Sequence, residues 1–154
     1  MSIDLEPHIR AEFDYWANEI GEEDPYKSNS TLGIYDVLTS HFLVAQFFSE
    51  AGEGISGAGP RDLDLLHSAM FRQQVSIGAI EKWGHPLEKA ATLFYGIIQD
   101  HPFHDANKRT AFLSLLYHLY NQGLAPTCSN KVLEDFAVEV ADRKLSKYAV
   151  FKDL

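Results

Sequence analysis

The stretch His101-Pro102-Phe103-His104-Asp105-Ala106-Asn107-Lys108-Arg109-Thr110 lies between two apolar segments of helical periodicity. Ahead of it, residues 86–100 open on Pro86, which suits a first helical turn, and carry Ala90, Leu93, Phe94, Ile97 and Ile98. Behind it, residues 108–122 carry Phe112, Leu113, Leu115, Leu116 and Leu119, and Gly123 suits the position just past a helix end. Both segments are apolar nearly all round, which predicts two buried central helices joined by a polar turn. At the start of the second helix the backbone N–H groups lack intrahelical partners and the dipole is positive, so an anion is the natural occupant. Asp105 and Asn107 are both acceptable caps, and Ala106 is small enough for a phosphate to approach the backbone. Lys108 and Arg109 fall in the first turn, where the dipole disfavours cations unless an anion offsets them.

The same segment holds the parts for chemistry. His101 brings an imidazole, the side chain most often used as a general base, and is the natural candidate for that role. Asp105 offers a hard carboxylate for Mg2+, which commonly binds through one or two carboxylates plus substrate phosphates. Arg109 is able to clamp phosphate oxygens bidentately. Pro102 would stiffen the turn and Phe103 anchor it in the core. Base, metal ligand, anion cradle and cations within so short a run suit phosphoryl or nucleotidyl transfer. The bland alternative is a helix–turn–helix with an ordinary cap and solvated basic residues.

Further out the periodicity stays helical. Residues 3–20 place Leu5, Ile9, Phe13, Trp16 and Ile20 at three-and-four spacing, and residues 34–51 do the same with Ile34, Leu38, Ala45 and Phe48. The 21–33 segment is turn-rich, and the glycines of 52–60 mark a loop. A shorter helix is expected over about 61–72. In residues 73–85, Val75 and Ile77 alternate with small or polar residues, enough for a small hairpin. Ser129 or Asn130 would cap a last helix carrying Leu133, Phe136, Ala137 and Val140.

The 154 residues suit one domain with a single core. The formal net charge of −9 argues against broad binding to nucleic acid or to anionic membrane, and leaves room for a local anion site. No apolar run approaches the roughly 20 residues that cross a bilayer. The first ten residues lack the basic start and apolar run of a signal peptide, so a cytoplasmic location is expected. Cys128 is the only cysteine, which excludes an internal disulfide.

The pattern His101-Pro102-Phe103-x-Asp105-x-Asn107-x-Arg109 resembles the motif of the Fic/Doc family, in which these residue types recur at these offsets. A weaker likeness extends over about residues 32–142. It implies an all-α Fic/Doc helical bundle with a short β-hairpin flap: an N-terminal helical extension over 1–31, a core over 32–145 and a tail over 146–154. AMP-transferring members usually have Gly where Ala106 and Lys108 stand, and a second Arg where Phe112 stands. The Ala-Asn-Lys-Arg-Thr run instead resembles the Doc, or death-on-curing, branch. That resemblance implies a toxin with ATP as co-substrate that moves the γ-phosphate to a hydroxyl of a target protein such as a translation factor. AMP transfer is the alternative.

The roles implied by the resemblance are specific. His101 would take the proton from the target hydroxyl, Asp105 would hold Mg2+, and Ala106, Asn107, Lys108 and Arg109 would bind the phosphates. The flap, at Gln74, Val75, Ser76, Ile77 and Gly78, would hold the target by strand addition. The Ser49-Glu50-Ala51-Gly52-Glu53-Gly54 run fits the family's self-inhibiting pattern, but two glycines interrupt it, so a separate antitoxin partner is expected instead.

Other histidines compete for roles. His41 lies on the apolar stripe of 34–51 and is expected to be a hydrogen-bonded core residue, while His118, facing away from some core positions, is expected to be structural. His104 occupies a variable place in the motif and is expected to point outward or toward substrate. His104-Asp105 with His67 and Asp135 or Asp142 would be the ligand set of an HD-type phosphohydrolase, the rival enzyme class. A silent Fic-fold binding module is the non-enzymatic rival.

Overall fold

A computed structural model describes residues 4–55, 57–74, 76–77, 80–81, 86–124 and 131. The helix expected around Leu133–Val140, Cys128, Asp135, Asp142 and the 146–154 tail lie outside the described residues. The architecture is the expected all-α bundle. Helix α1 spans Pro7–Ile20 and α2 spans Ile34–Glu50. Then come α3 at Leu63–Phe71, a 3-10 turn at Arg72–Gln74, strands β1 (Ser76–Ile77) and β2 (Ile80–Glu81), α4 at Pro86–Asp100 and α5 at Asn107–Asn121.

The first three helices start at recognisable signals. Pro7 opens α1 at a position where a missing N–H costs nothing. At α2 the Asp36 carboxylate accepts the Gly33 N–H at 2.8 Å, and Asp24 accepts the Ile34 N–H at 3.0 Å. Asp62 caps α3 by accepting the Asp64 N–H at 2.8 Å. The expected glycine stop of α5 is present: Gly123 has φ +72° and its N–H donates to the Tyr120 carbonyl.

Helix α4 is the centre, packed against α3 and α5, with Leu93, Phe94, Ile97 and Ile98 almost wholly buried. Helix α2 lies across α5 and contributes Val37, Leu38 and Phe42 to the same core. Helix α1 docks on α2, its Phe13 ring edge-on to Phe42 at 5.5 Å. Arg72 ties the end of α3 to the end of α4 through two bonds to Asp100, at 2.9 and 3.2 Å. That bidentate pair fixes the point from which the 101–106 turn departs.

Two expectations change. The sequence makes α5 look buried all round, but Leu116 is 40% exposed and Leu113 half-exposed. Their apolar face lines a cleft instead of a neighbouring helix. The flap was expected to begin at Gln74, but Gln74 ends the 3-10 turn and its side chain donates to the Pro25 carbonyl at 3.0 Å. Strand pairing starts two residues later, with Ser76 opposite Glu81 and Ile77 opposite Ile80. Val75 and Gly78 lie outside the described residues.

Candidate functional site

The turn between α4 and α5 is held from inside. Asn107 is buried, and its amide grips the backbone of Phe103 at both ends. Its Oδ1 accepts the Phe103 N–H at 2.9 Å, and its Nδ2 donates to the Phe103 carbonyl at 3.0 Å. Phe103 itself is buried and stacks on the His41 ring, with centroids 4.0 Å apart and planes 9° from parallel. With its amide so engaged, Asn107 is oriented by the turn, and its backbone N–H faces the helix start.

The helix start is unlike the expected capping by Asp105 or Asn107. Ala106 is the N-cap, in the left-handed region at φ +62°, and no side chain caps the helix. The Thr110 N–H is the first to bond within the helix, to the Ala106 carbonyl at 2.9 Å. The Asn107, Lys108 and Arg109 N–H groups precede that bond and have no acceptor within the helix. A left-handed residue followed by helical ones turns successive N–H groups toward one point, forming a nest for an anion. Strain at a non-glycine position of this kind amounts to about 1–2 kcal/mol. The surrounding bonds to Phe103 over-determine it.

Around that nest opens a cleft of about 910 Å³. Among the described residues, Asp105 is the only carboxylate lining it; His101, His104, Lys108 and Arg109 are also on its wall. Asp105 Oδ1 accepts the Ala106 N–H at 2.7 Å, which fixes the carboxylate beside the nest. One oriented carboxylate next to a phosphate site fits Mg2+, which takes most of its other ligands from phosphate and water. The Arg109 guanidinium lies 4.1 Å above the Phe48 ring, which holds its charge at the cleft. Apolar residues of α2 and α5, including Phe47, Phe112 and Leu116, complete the wall.

His101 is exposed and stands just past the end of α4 with φ +48°. Its Nδ1 is 3.3 Å from the Gln99 carbonyl, an acceptor only, so Nδ1 carries the proton. Nε2 then keeps its lone pair, as a general base requires. His104 is also exposed, as expected for a variable position.

His118 and His67 make contacts away from the cleft. His118 is buried and its Nε2 donates to the Ser30 carbonyl at 3.0 Å. His67 Nδ1 lies 2.6 Å from the Tyr26 hydroxyl. No three metal-ligating side chains converge among the described residues, His104, Asp105 and His67 included.

His41 is wholly buried, and burial pulls its imidazole from the ordinary 6.5 down to about 3, against a partial upward pull from Asp105. This has a consequence for stability. In the unfolded chain the ring takes a proton near pH 6.5; in the folded chain it does so only near 3. Between those values the unfolded state binds more protons, so stability is complete above pH 6.5 and falls as the pH drops toward 3. By pH 5 the loss from this group is about 2 kcal/mol. Urea unfolding at pH 7 and pH 5 should show it in the wild-type chain, and His41→Gln should lose most of that difference.

These features define a helical domain in which the turn between the two central helices carries an exposed histidine and the uncapped start of α5. The sequence pattern of the Fic/DOC family matches residues 31–119. The chain belongs to that family. It is similar to a protein described as Toxin Doc of Mycolicibacterium smegmatis, at 32% identity over 85 residues, 54% of this chain and 65% of that relative. The alignment thus spans somewhat less than two thirds of the relative's length. No solved structure matches. Among the described residues, no helix is long and apolar enough to cross a membrane.

Proposed function

We propose that the chain is a Doc-like toxin that transfers the γ-phosphate of ATP to a hydroxyl side chain of a target protein, and that a separate antitoxin restrains it. The observation that carries this reading is the pairing of an exposed His101, its Nδ1 turned to the Gln99 carbonyl, with the uncapped N-terminus of α5, on the wall of one cleft.

The terminal phosphate would sit in the nest formed by the Asn107, Lys108 and Arg109 N–H groups, with the Lys108 ammonium and Arg109 guanidinium offsetting its charge. Asp105 would hold Mg2+, which supplies charge neutralisation on the phosphates. His101 Nε2 takes the proton from the target hydroxyl as its oxygen bonds to the γ-phosphorus. The bond from phosphorus to the bridging oxygen breaks, and ADP leaves with that oxygen. The β1–β2 edge would hold the target main chain by strand addition. The residue types at 106, 108 and 112 support phosphate over AMP transfer. Lys108 replaces open space with a charge suited to a terminal phosphate, and Phe112, 5.3 Å from the Phe94 ring, adds no second cation to the cleft.

A lysate incubated with the protein, Mg2+ and ATP labelled at either the α or the γ position separates the chemistries. Label from the γ position alone is the expected result. Label arriving from the α position replaces the kinase with AMP transfer, and label from neither leaves a binding module. Asp105→Asn should lower γ-label transfer at least tenfold and raise the Mg2+ concentration needed for half-maximal rate.

A further inference from the structure

Helix α1 lies before residue 31, outside the part of the chain that the family pattern matches. It nevertheless reaches the turn at 101–106 by way of Gly59. The Trp16 indole covers Gly59 so closely that a Cβ there would lie 2.3 Å from its Nε1. Gly59 has φ +105°, a second reason that only glycine fits beneath the indole.

Gly59 then makes two bonds of its own. Its N–H donates to His41 Nε2 at 2.8 Å, and its carbonyl accepts the His104 N–H at 3.2 Å. Beside it, Pro60 and Phe103 form an antiparallel bridge, and the Arg61 N–H donates to the Pro102 carbonyl at 2.7 Å. Residues 59–61 thus run as a short edge along 102–104. The Arg61 side chain extends the same edge, its Nε donating to the His101 carbonyl at 3.1 Å.

His41 clamps both sides of that edge. Because Nε2 accepts from Gly59, Nδ1 carries the proton and donates to Thr110 Oγ1 on α5, 3.0 Å away. The ring face lies on Phe103. One wholly buried side chain therefore joins α2, the 59–61 edge, the motif turn and α5.

We propose that His41 and Trp16 are positioning residues for the 101–110 site, which makes α1 a working part of that site. The proposal rests on the reading of 101–110 as a transferring site. His41 acts through Phe103, Thr110 and Gly59, and Trp16 acts through Gly59; neither lines the cleft. Together they fix the turn, and with it the offset between His101 and the N-terminus of α5. A core residue that only filled space would be replaced well by another ring of similar size. A brace would not, because the buried Gly59 N–H and Thr110 hydroxyl would lose their partners.

The test compares His41→Phe, His41→Gln and Trp16→Phe in the full chain. Two readouts are used: amide hydrogen exchange, and kcat and KM for ATP in γ-label transfer. His41→Phe should speed exchange at Gly59 and His104 at least tenfold beyond the change at Ile97 in the centre of α4. It should lower kcat at least tenfold and move KM less than twofold. His41→Gln places an acceptor near the old Nε2 and should recover part of both. Trp16→Phe, at a half-exposed position, keeps a folded chain and should shift exchange at Gly59 in the same direction with a smaller fall in kcat.

Exchange that rises equally across all core amides overturns the proposal, as does a local rise with kcat unchanged. If the wild-type chain transfers no label, the proposed function fails. The contrast between Gly59 or His104 and Ile97 then decides the brace, a uniform rise rejecting it.

Discussion

His101→Ala is expected to lower phosphate transfer roughly a hundred- to ten-thousand-fold, the range for loss of a positioned general base. Nucleotide affinity should change little, because the phosphate contacts assigned here come from the start of α5 and His101 supplies none of them. The fold should also tolerate the change. His101 is exposed, its side chain makes only a 3.3 Å contact with the Gln99 carbonyl, and its backbone N–H remains bonded to the Ile97 carbonyl. Single-turnover rates with γ-labelled ATP, read beside an ADP titration, separate the two effects. Equal losses in rate and affinity would move His101 from base to binding residue. Growth arrest on expression, if the wild-type chain causes it, should disappear with the same substitution.

Asn107→Ala is the second large effect, and it reaches function through structure. Removing the amide leaves the Phe103 N–H and carbonyl, both inside the turn, without their partners. Each buried group so orphaned costs about 1–3 kcal/mol. The turn carries Asp105 and the left-handed Ala106, so transfer should fall steeply even where the chain stays folded. Urea unfolding measures the first effect and γ-label transfer the second. Asn107→Asp keeps an acceptor for the Phe103 N–H and loses the donor, so it should recover part of the stability. A stability change below about 0.5 kcal/mol, typical of a neutral surface substitution, would show that the turn is held by something else.

The substitutions bear on what sequence alone conveys. Periodicity around Leu93–Ile98 and Leu115–Leu119 was enough to place two central helices and the turn between them. Residue chemistry at 101–110 was enough to find a base, a carboxylate and a cationic helix start in one run. Those signals are local, and locality is what a sequence records well.

Less legible were pairings between distant segments. Asn107 reads as a phosphate ligand, and nothing in the run says that its amide also grips Phe103 across the tight turn. His41 reads correctly as a buried, hydrogen-bonded histidine from its place on the α2 stripe. Nothing in that stripe says that its partners are Phe103, Gly59 and Thr110. The exposure of Leu113 and Leu116 was hidden for a related reason, since an apolar helix face looks the same beside a neighbour or along a cleft. The capping of α5 by left-handed Ala106 had no signal either, because alanine is neither a favoured cap nor a favoured left-handed residue.

The central claim is that a phosphate binds at the uncapped start of α5 beside His101. Titration of the 15N-labelled chain with Mg2+ and ATP, followed amide by amide, tests it most directly. The largest shifts are expected at the Asn107, Lys108 and Arg109 amides, with smaller ones at Asp105 and His101, and weakening of all of them in Asp105→Asn. Saturating shifts centred elsewhere, with those three amides unmoved, would contradict it.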